Sequence, residues 1–275
     1  MAMQILYGVI FLSGACPLWL AWRANRRTTL LQAVNWSAAA WLAWLGAVTL
    51  TGADADAGRR ETGRYLALCV TGCAGVAVLG ARRPGVGAWN FVLLGLLAVM
   101  LLPLVQGLLL GGQGLDMVRL LFLAATLAVG IFNYLPTRLA PGALLLALGC
   151  GWEVTALSGR ATALSARLLE PGWLCVALAP WAGLLSWRSA PPPRSEIDRL
   201  WLDFRNRYGV VWGQRLREQF NNAAVHAGWP VRLTWQGLVR LLGGAPLGPQ
   251  EQEEMEATLR ALLKRFGPEE PPAAA

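Results

Sequence analysis

The sequence of 275 residues contains a single histidine, His226, close to the C-terminus. A membrane haem held by paired histidines is therefore excluded within this chain, as are His-rich metal sites. A Ser–His intramembrane protease lacks its base for the same reason. Walker-type GxxxxGK[ST], HExxH and paired-aspartate arrays are missing as well. ATP hydrolysis, zinc proteolysis and Asp-dependent prenyl transfer thus lack the residues that perform them. His226 itself stands two residues before Gly228, near a helix end where a cation is favoured, and has a structural reading. No cofactor or metal is expected.

Charge is scarce too. Charged residues make up 15% of the chain, against about 25% in an ordinary soluble domain. The five cysteines (Cys16, Cys69, Cys73, Cys150, Cys175) form no CxxC pair. All fall in apolar stretches, where free cysteine packs as a small hydrophobe and reports no oxidising compartment.

What is abundant is apolar length, at 55% hydrophobic residues. A helix crossing roughly 30 Å of hydrocarbon needs about 20 apolar residues. Seven stretches meet or approach this: Met3–Trp22, Leu30–Leu50, Tyr65–Ala81, Val86–Leu110, Val118–Leu135, Leu139–Leu157 and Gly172–Trp187. The last is short, so six spans is the alternative count. The first has its basic cluster (Arg23, Arg26, Arg27) after the apolar run, the reverse of a secretory signal, and reads as a retained helix. Continuous runs without period-two alternation indicate helices, not a barrel.

The composition changes at Ser189. Ala190-Pro191-Pro192-Pro193 reads as a stiff linker over 189–194. Ser195 with Glu196 and Asp198 then reads as a helix start. Ile197, Leu200, Trp201, Phe204, Tyr208 and Val211 share one face at helical spacing. Past Gly209 and Gly213 the apolar positions rotate around the axis, which predicts a kink or a second helix. Val231–Leu242 is open between strand and short helix, and Gln250–Phe266 is helical again. The expected fold is all-α: a polytopic membrane bundle over 1–188 with a small, mainly helical soluble domain over 195–267. Residues 268–275 are expected to be a disordered tail.

The net charge of +8 could suggest nucleic acid. Its distribution argues otherwise. Residues 1–194 hold 14 arginines against six acids, while residues 195–275 hold ten bases against ten acids. A nucleic-acid-binding tail would show the reverse. With seven spans, the first, third and fifth loops and the linker carry Arg23, Arg26, Arg27, Arg82, Arg83, Arg138, Arg188 and Arg194 with no acid. The even loops carry six arginines and five acids. The basic bias places the N-terminus outside and the C-terminal domain in the cytoplasm, most simply of a bacterial cytoplasmic membrane.

Glu153 is the sole acid deep in a predicted span. A buried charge there is expensive and often functional. It is read as functional, as paired with Arg119 or Arg160, or as reaching the interface. Asn35, Asn90, Asn133, Gln32 and Gln106 read as interhelical hydrogen-bonding groups. Gly107 with Gly111, and the row Ala143, Ala147, Gly151, read as close-packing faces. Arg205, Arg207, Arg215 and Arg217 lie opposite the apolar face of the first C-terminal helix. They would meet anionic headgroups, an acidic partner or solvent. Trp229 and Trp235, flanking Arg232, would touch the membrane surface or pack into a core.

Three functions remain open. The first is a non-enzymatic subunit, scaffold or assembly factor that binds a membrane-protein partner or its own copies, together with a cytoplasmic partner. The second is a small-solute permease using Glu153. The third is a lipid-acting membrane enzyme.

Overall fold

A computed structural model describes residues 2–50, 57–82, 86–110, 116–158, 170–241 and 248–267. In chain order these form α1 (Ala2–Ser13), α2 (Ala15–Asn25), α3 (Leu31–Leu50), α4 (Ala57–Ala77, running into a 3-10 turn Val78–Gly80), α5 (Val86–Leu110), α6 (Met117–Tyr134) and α7 (Ala140–Leu157). They continue with α8 (Glu170–Arg188), α9 (Glu196–His226), a hairpin of β1 (Val231–Leu233) and β2 (Leu238–Arg240), α10 (Pro249–Leu263) and a 3-10 turn Lys264–Phe266. Among the described residues the architecture is all-α apart from that hairpin.

Among the described residues, four helical segments are long and apolar enough to cross a membrane: Gly58–Gly80, Gly87–Gly107, Met117–Tyr134 and Ala140–Leu157. This fits an integral membrane protein. The outer faces agree, since Phe91, Leu109, Val118, Phe132 and Leu148 all point away from the protein. Such a girdle of large apolar side chains is costly in water and natural against lipid.

The first apolar stretch, expected as one helix, is broken. Gly14 interrupts it, separating α1 from α2. Two causes are visible. Pro17 has no N–H to offer the carbonyl of Ser13. The indole of Trp41 also occupies the space that a Cβ on Gly14 would take. Trp41 Nε1 donates to the Phe11 carbonyl at 3.1 Å, which helps satisfy the backbone at the break. Pro103 in α5 and Pro180 in α8 leave their helices continuous, as bundle neighbours permit in membrane proteins.

Glycines set the closest approaches, but not those the spacing suggested. Gly75 of α4 faces Gly130 of α6 so tightly that a Cβ on Gly75 would lie 2.8 Å from the Gly130 Cα. On α7, Gly142 and Gly149 lie against the α8 backbone. They stand two turns apart and therefore share a face. Gly107 and Gly151 have open space beside them, and Gly111 lies outside the described residues. Small residues occur on two sides of α7, and spacing alone does not say which side meets a neighbour.

Cys69, Cys73 and Cys150 are buried free thiols. The interhelical polar groups find varied partners. Asn90 Oδ1 accepts from Trp36 Nε1 at 3.1 Å, and Gln106 Oε1 accepts from Arg119 at 2.7 Å. Asn35 is exposed.

The C-terminal segment begins as its sequence predicts. Ser195 Oγ accepts from the Asp198 N–H at 3.1 Å, capping α9. The ambiguous stretch is the β1–β2 hairpin, paired antiparallel with Arg232 opposite Val239. Side chains of α9 hold it: Asn221 exchanges two hydrogen bonds with the Leu233 backbone, and Asp198 Oδ1 accepts from Leu238 N–H. Met255, Leu259 and Phe266 turn inward from α10 and the final turn. This segment is not free-standing. Its core (Ile197, Trp201, Phe204, Trp212, Phe220 and others) is continuous with Leu30, Ala33, Ala77, Val78, Ala81 and Leu93 of the bundle. Thr29, between α2 and α3, and Pro136, between α6 and α7, meet it through hydrogen bonds. We call residues 195–267 the headpiece. The expected tail over 268–275 lies outside the described residues.

Candidate functional site

Glu153 is fully buried on α7. Its partner is neither of the expected ones. Arg64 of α4 brings Nε to 3.5 Å from Glu153 Oε2, and its side chain is only 10% exposed. Its guanidinium lies 5.5 Å from the ring centroid of Trp173 on α8. Gly172 leaves room for the carboxylate: a Cβ there would sit 2.7 Å from Oε1. Arg119 instead pairs with Asp116 at 3.3 Å and donates to Gln106. Arg160 lies outside the described residues. The reason is helix length. The apolar run starts at Tyr65, which leaves Arg64 in a loop, whereas α4 begins at Ala57 and carries Arg64 inside the bundle.

The pair therefore joins three helices. It neutralises two charges that would each be expensive in an apolar interior. Among the described residues no hydrogen bond reaches either Glu153 oxygen. No group of three or more His, Cys, Asp or Glu residues among them could hold a metal ion.

The headpiece candidates divide between the junction and the surface. Arg205 is buried and donates to Asn206 Oδ1 at 2.7 Å and to the Trp235 carbonyl. Burial pushes its pKa down to about 10, with Arg138 adding repulsion. Arg207 bonds Asp203 at 3.0 Å and Asn25 of α2 at 3.3 Å, and lies over the Trp187 ring. Arg215 is exposed, stacked on Trp212, and Arg217 is half-buried. Trp229 is buried near Phe220. Trp235 packs edge-on against Trp201, lies beneath the Arg205 guanidinium and donates Nε1 to the Pro136 carbonyl at 2.6 Å. Both tryptophans are thus packed within the protein, with Trp235 bridging headpiece to bundle.

The centre of the junction is Gly209. It interrupts α9 with φ +77° and ψ −166°, a conformation essentially reserved for glycine. Asn133, at the end of α6, fills the gap. Its Oδ1 accepts from Val211 N–H at 3.1 Å, and its Nδ2 donates to the Tyr208 carbonyl at 3.3 Å. A helix start normally takes its cap from its own chain. Here a membrane helix supplies it, and also accounts for a carbonyl the first half of α9 leaves over. Nearby, Tyr134 Oη donates to the Arg207 carbonyl at 2.9 Å, and Trp212 Nε1 to the Val78 carbonyl at 3.0 Å. Tyr208 Oη donates to the Phe266 carbonyl at 2.9 Å. Thr29 Oγ1 lies 3.2 Å from the same Tyr208 hydroxyl and donates to the Ala81 carbonyl at 2.8 Å. Burial raises the Tyr208 pKa, so the hydroxyl stays a donor.

The sequence marks both ends of this lock separately: Gly209 as a kink and Asn133 as a polar group in a span. Their pairing, 76 positions apart in number, has no local signature. Compared with known families, with curated proteins and with solved structures, the chain matches none.

Proposed function

We propose that the chain is a non-enzymatic, multi-pass subunit or assembly factor of a bacterial cytoplasmic membrane, which presents its headpiece to a partner protein. In this reading it crosses the bilayer seven times. α1 and α2 form one interrupted crossing, and α3 and α8 add to the four most apolar segments. At about 1.5 Å per residue, the 20 residues of α3 and the 19 of α8 span close to 30 Å. The N-terminus is then outside and the headpiece cytoplasmic, since the odd loops that meet the headpiece carry the acid-free arginine set.

The observation that carries the proposal is the fusion of headpiece and bundle. Asn133, Tyr134, Trp212 and Trp235 make the two one body. Such a headpiece holds a partner at a fixed position relative to the membrane. It also turns apolar side chains outward at one end. Val225 is 78% exposed, Val239 projects from β2, and Leu241 is exposed just after it. The Leu241–Pro230 and Trp229–Ala224 backbone bonds bring these segments to the same end. An apolar patch on a headpiece suits a partner better than water.

A permease is less well supported. Its best residue, Glu153, is held by Arg64, and neither lines the large cavity among the helices.

The test is a V225R/V239R variant compared with wild type after mild-detergent extraction and mass measurement of the intact assembly. The proposal expects wild type in stoichiometric complex with a second protein or a second copy. The variant should be equally stable and alone. A wild-type protein that is monomeric in its native membrane extract contradicts it.

A further inference from the structure

The helices line a half-open cavity of about 590 Å³, within the roughly 300–1,000 Å³ range of ligand pockets. α2, α3, α4, α6, α7 and α8 all contribute walls. Most of the lining is aliphatic or aromatic, and its interior hydroxyls are already used. Ser37 Oγ donates to the Ala33 carbonyl, while Thr71 Oγ1 donates to the Ala67 carbonyl and accepts from Trp44 Nε1. An apolar occupant therefore leaves no buried polar group stranded in the chamber.

One end is different. Asn25, Tyr134, Arg188 and Arg207 all belong to the lining, and all sit at the odd-loop ends of their helices or on the headpiece. Arg23, Arg26 and Arg27 stand in or just after the last turn of α2, beside Asn25. Among these cations Arg207 pairs with Asp203. Among the described residues no carboxylate lies within ion-pair distance of Arg188. The chamber is thus amphipathic, with an apolar body and a cationic mouth at the level where the headpiece begins.

We propose that it holds one anionic phospholipid, with acyl chain inside and phosphate at Arg188 and Arg207. The two chemistries are those of such a lipid, an apolar chain and a negatively charged headgroup fixed at an interface. A soluble anion would use the mouth and leave the chamber unfilled. A neutral lipid would use the chamber and bring no net charge to Arg188. This site does not depend on the partner reading above, and its loss and the loss of a partner are read in separate experiments.

The experiment uses the full chain, stripped of lipid in detergent and reconstituted into phosphatidylcholine vesicles containing a minor share of phosphatidylglycerol. Re-extracted protein is then weighed intact by native mass spectrometry. Wild type is expected to retain one phosphatidylglycerol per chain in preference to phosphatidylcholine. R188Q removes one exposed charge without touching the helix junction, and it should lower retention about fivefold, the worth of about 1 kcal/mol per headgroup cation. A21F fills the chamber from α2 and should abolish retention while the mouth stays intact. R194Q, on the linker outside the lining, should leave it unchanged. Excess sn-glycerol 3-phosphate should not displace the lipid. Equal retention of both lipids, indifference to A21F, or displacement by the soluble phosphate would each overturn the proposal.

Discussion

Gly209→Ala loosens the headpiece from the bundle and lowers stability by about 2–4 kcal/mol, combining backbone strain with a steric clash. The φ of +77° alone disfavours any side chain. The space is taken as well, because a Cβ would lie 2.6 Å from the Asn133 carbonyl oxygen and closer still to the Asn133 amide. Gly228 provides the control. It shares a positive φ of 70° but has open space around it, so Gly228→Ala should cost only about 1 kcal/mol. Asn133→Ala should fall between, at about 1–3 kcal/mol, from one lost helix cap and one stranded carbonyl. Thermal unfolding in detergent, paired with limited proteolysis of the 189–194 linker, checks the ranking. Equal effects at Gly209 and Gly228 would show that the Asn133 contact adds nothing.

Arg64→Ala is the second large effect. It leaves the Glu153 carboxylate buried without its cation, and removing one member of a buried pair costs about 3–5 kcal/mol. Glu153→Gln should be milder, since the remaining Arg64 keeps some exposure and its ring contact with Trp173. Replacing both by methionine should restore most of the loss, because apolar substitutes avoid the desolvation cost. The measurement is the detergent unfolding midpoint across all four proteins. If the double variant is no better than Arg64→Ala, the pair is not what holds α4, α7 and α8 together there. Conversely, a solute flux that Glu153→Gln abolishes without a change in midpoint would move the permease reading ahead of the subunit reading.

How much of this was legible in the sequence follows from the range of each interaction. The ends of α3, α5, α6, α7 and α8 fall within two residues of their apolar runs, because a continuous apolar run marks the helix that buries it. The Ser195 cap and the kink at Gly209 are local signals and were readable. Arg64 was not, since α4 begins eight residues before its apolar run, and a hydropathy pattern sees where lipid begins and not where the helix does. The shift from Ala143, Ala147 and Gly151 to Gly142 and Gly149 is a rotation that depends on which side α8 occupies. Trp229 and Trp235 are amphipathic aromatics that suit a membrane surface and a core equally well, and only the hairpin's position decides between them. The headpiece reads as separate because its proline linker and balanced charge look like a boundary. The shared core behind that boundary comes from residues more than a hundred positions apart.

The headpiece and the bundle share one core and are locked where Asn133 caps the second half of α9. Hydrogen exchange at the Val211 amide, in the full chain reconstituted into lipid nanodiscs, tests this lock most directly. Val211 stands in the first turn after the break at Gly209, where a helix has no intrahelical acceptor for its N–H. Its acceptor is Asn133 Oδ1. This amide is expected to be protected as strongly as the interior of α6, and Asn133→Ala to remove the protection. Rapid exchange at Val211 in the wild type, at the rate of a frayed helix end, would contradict it.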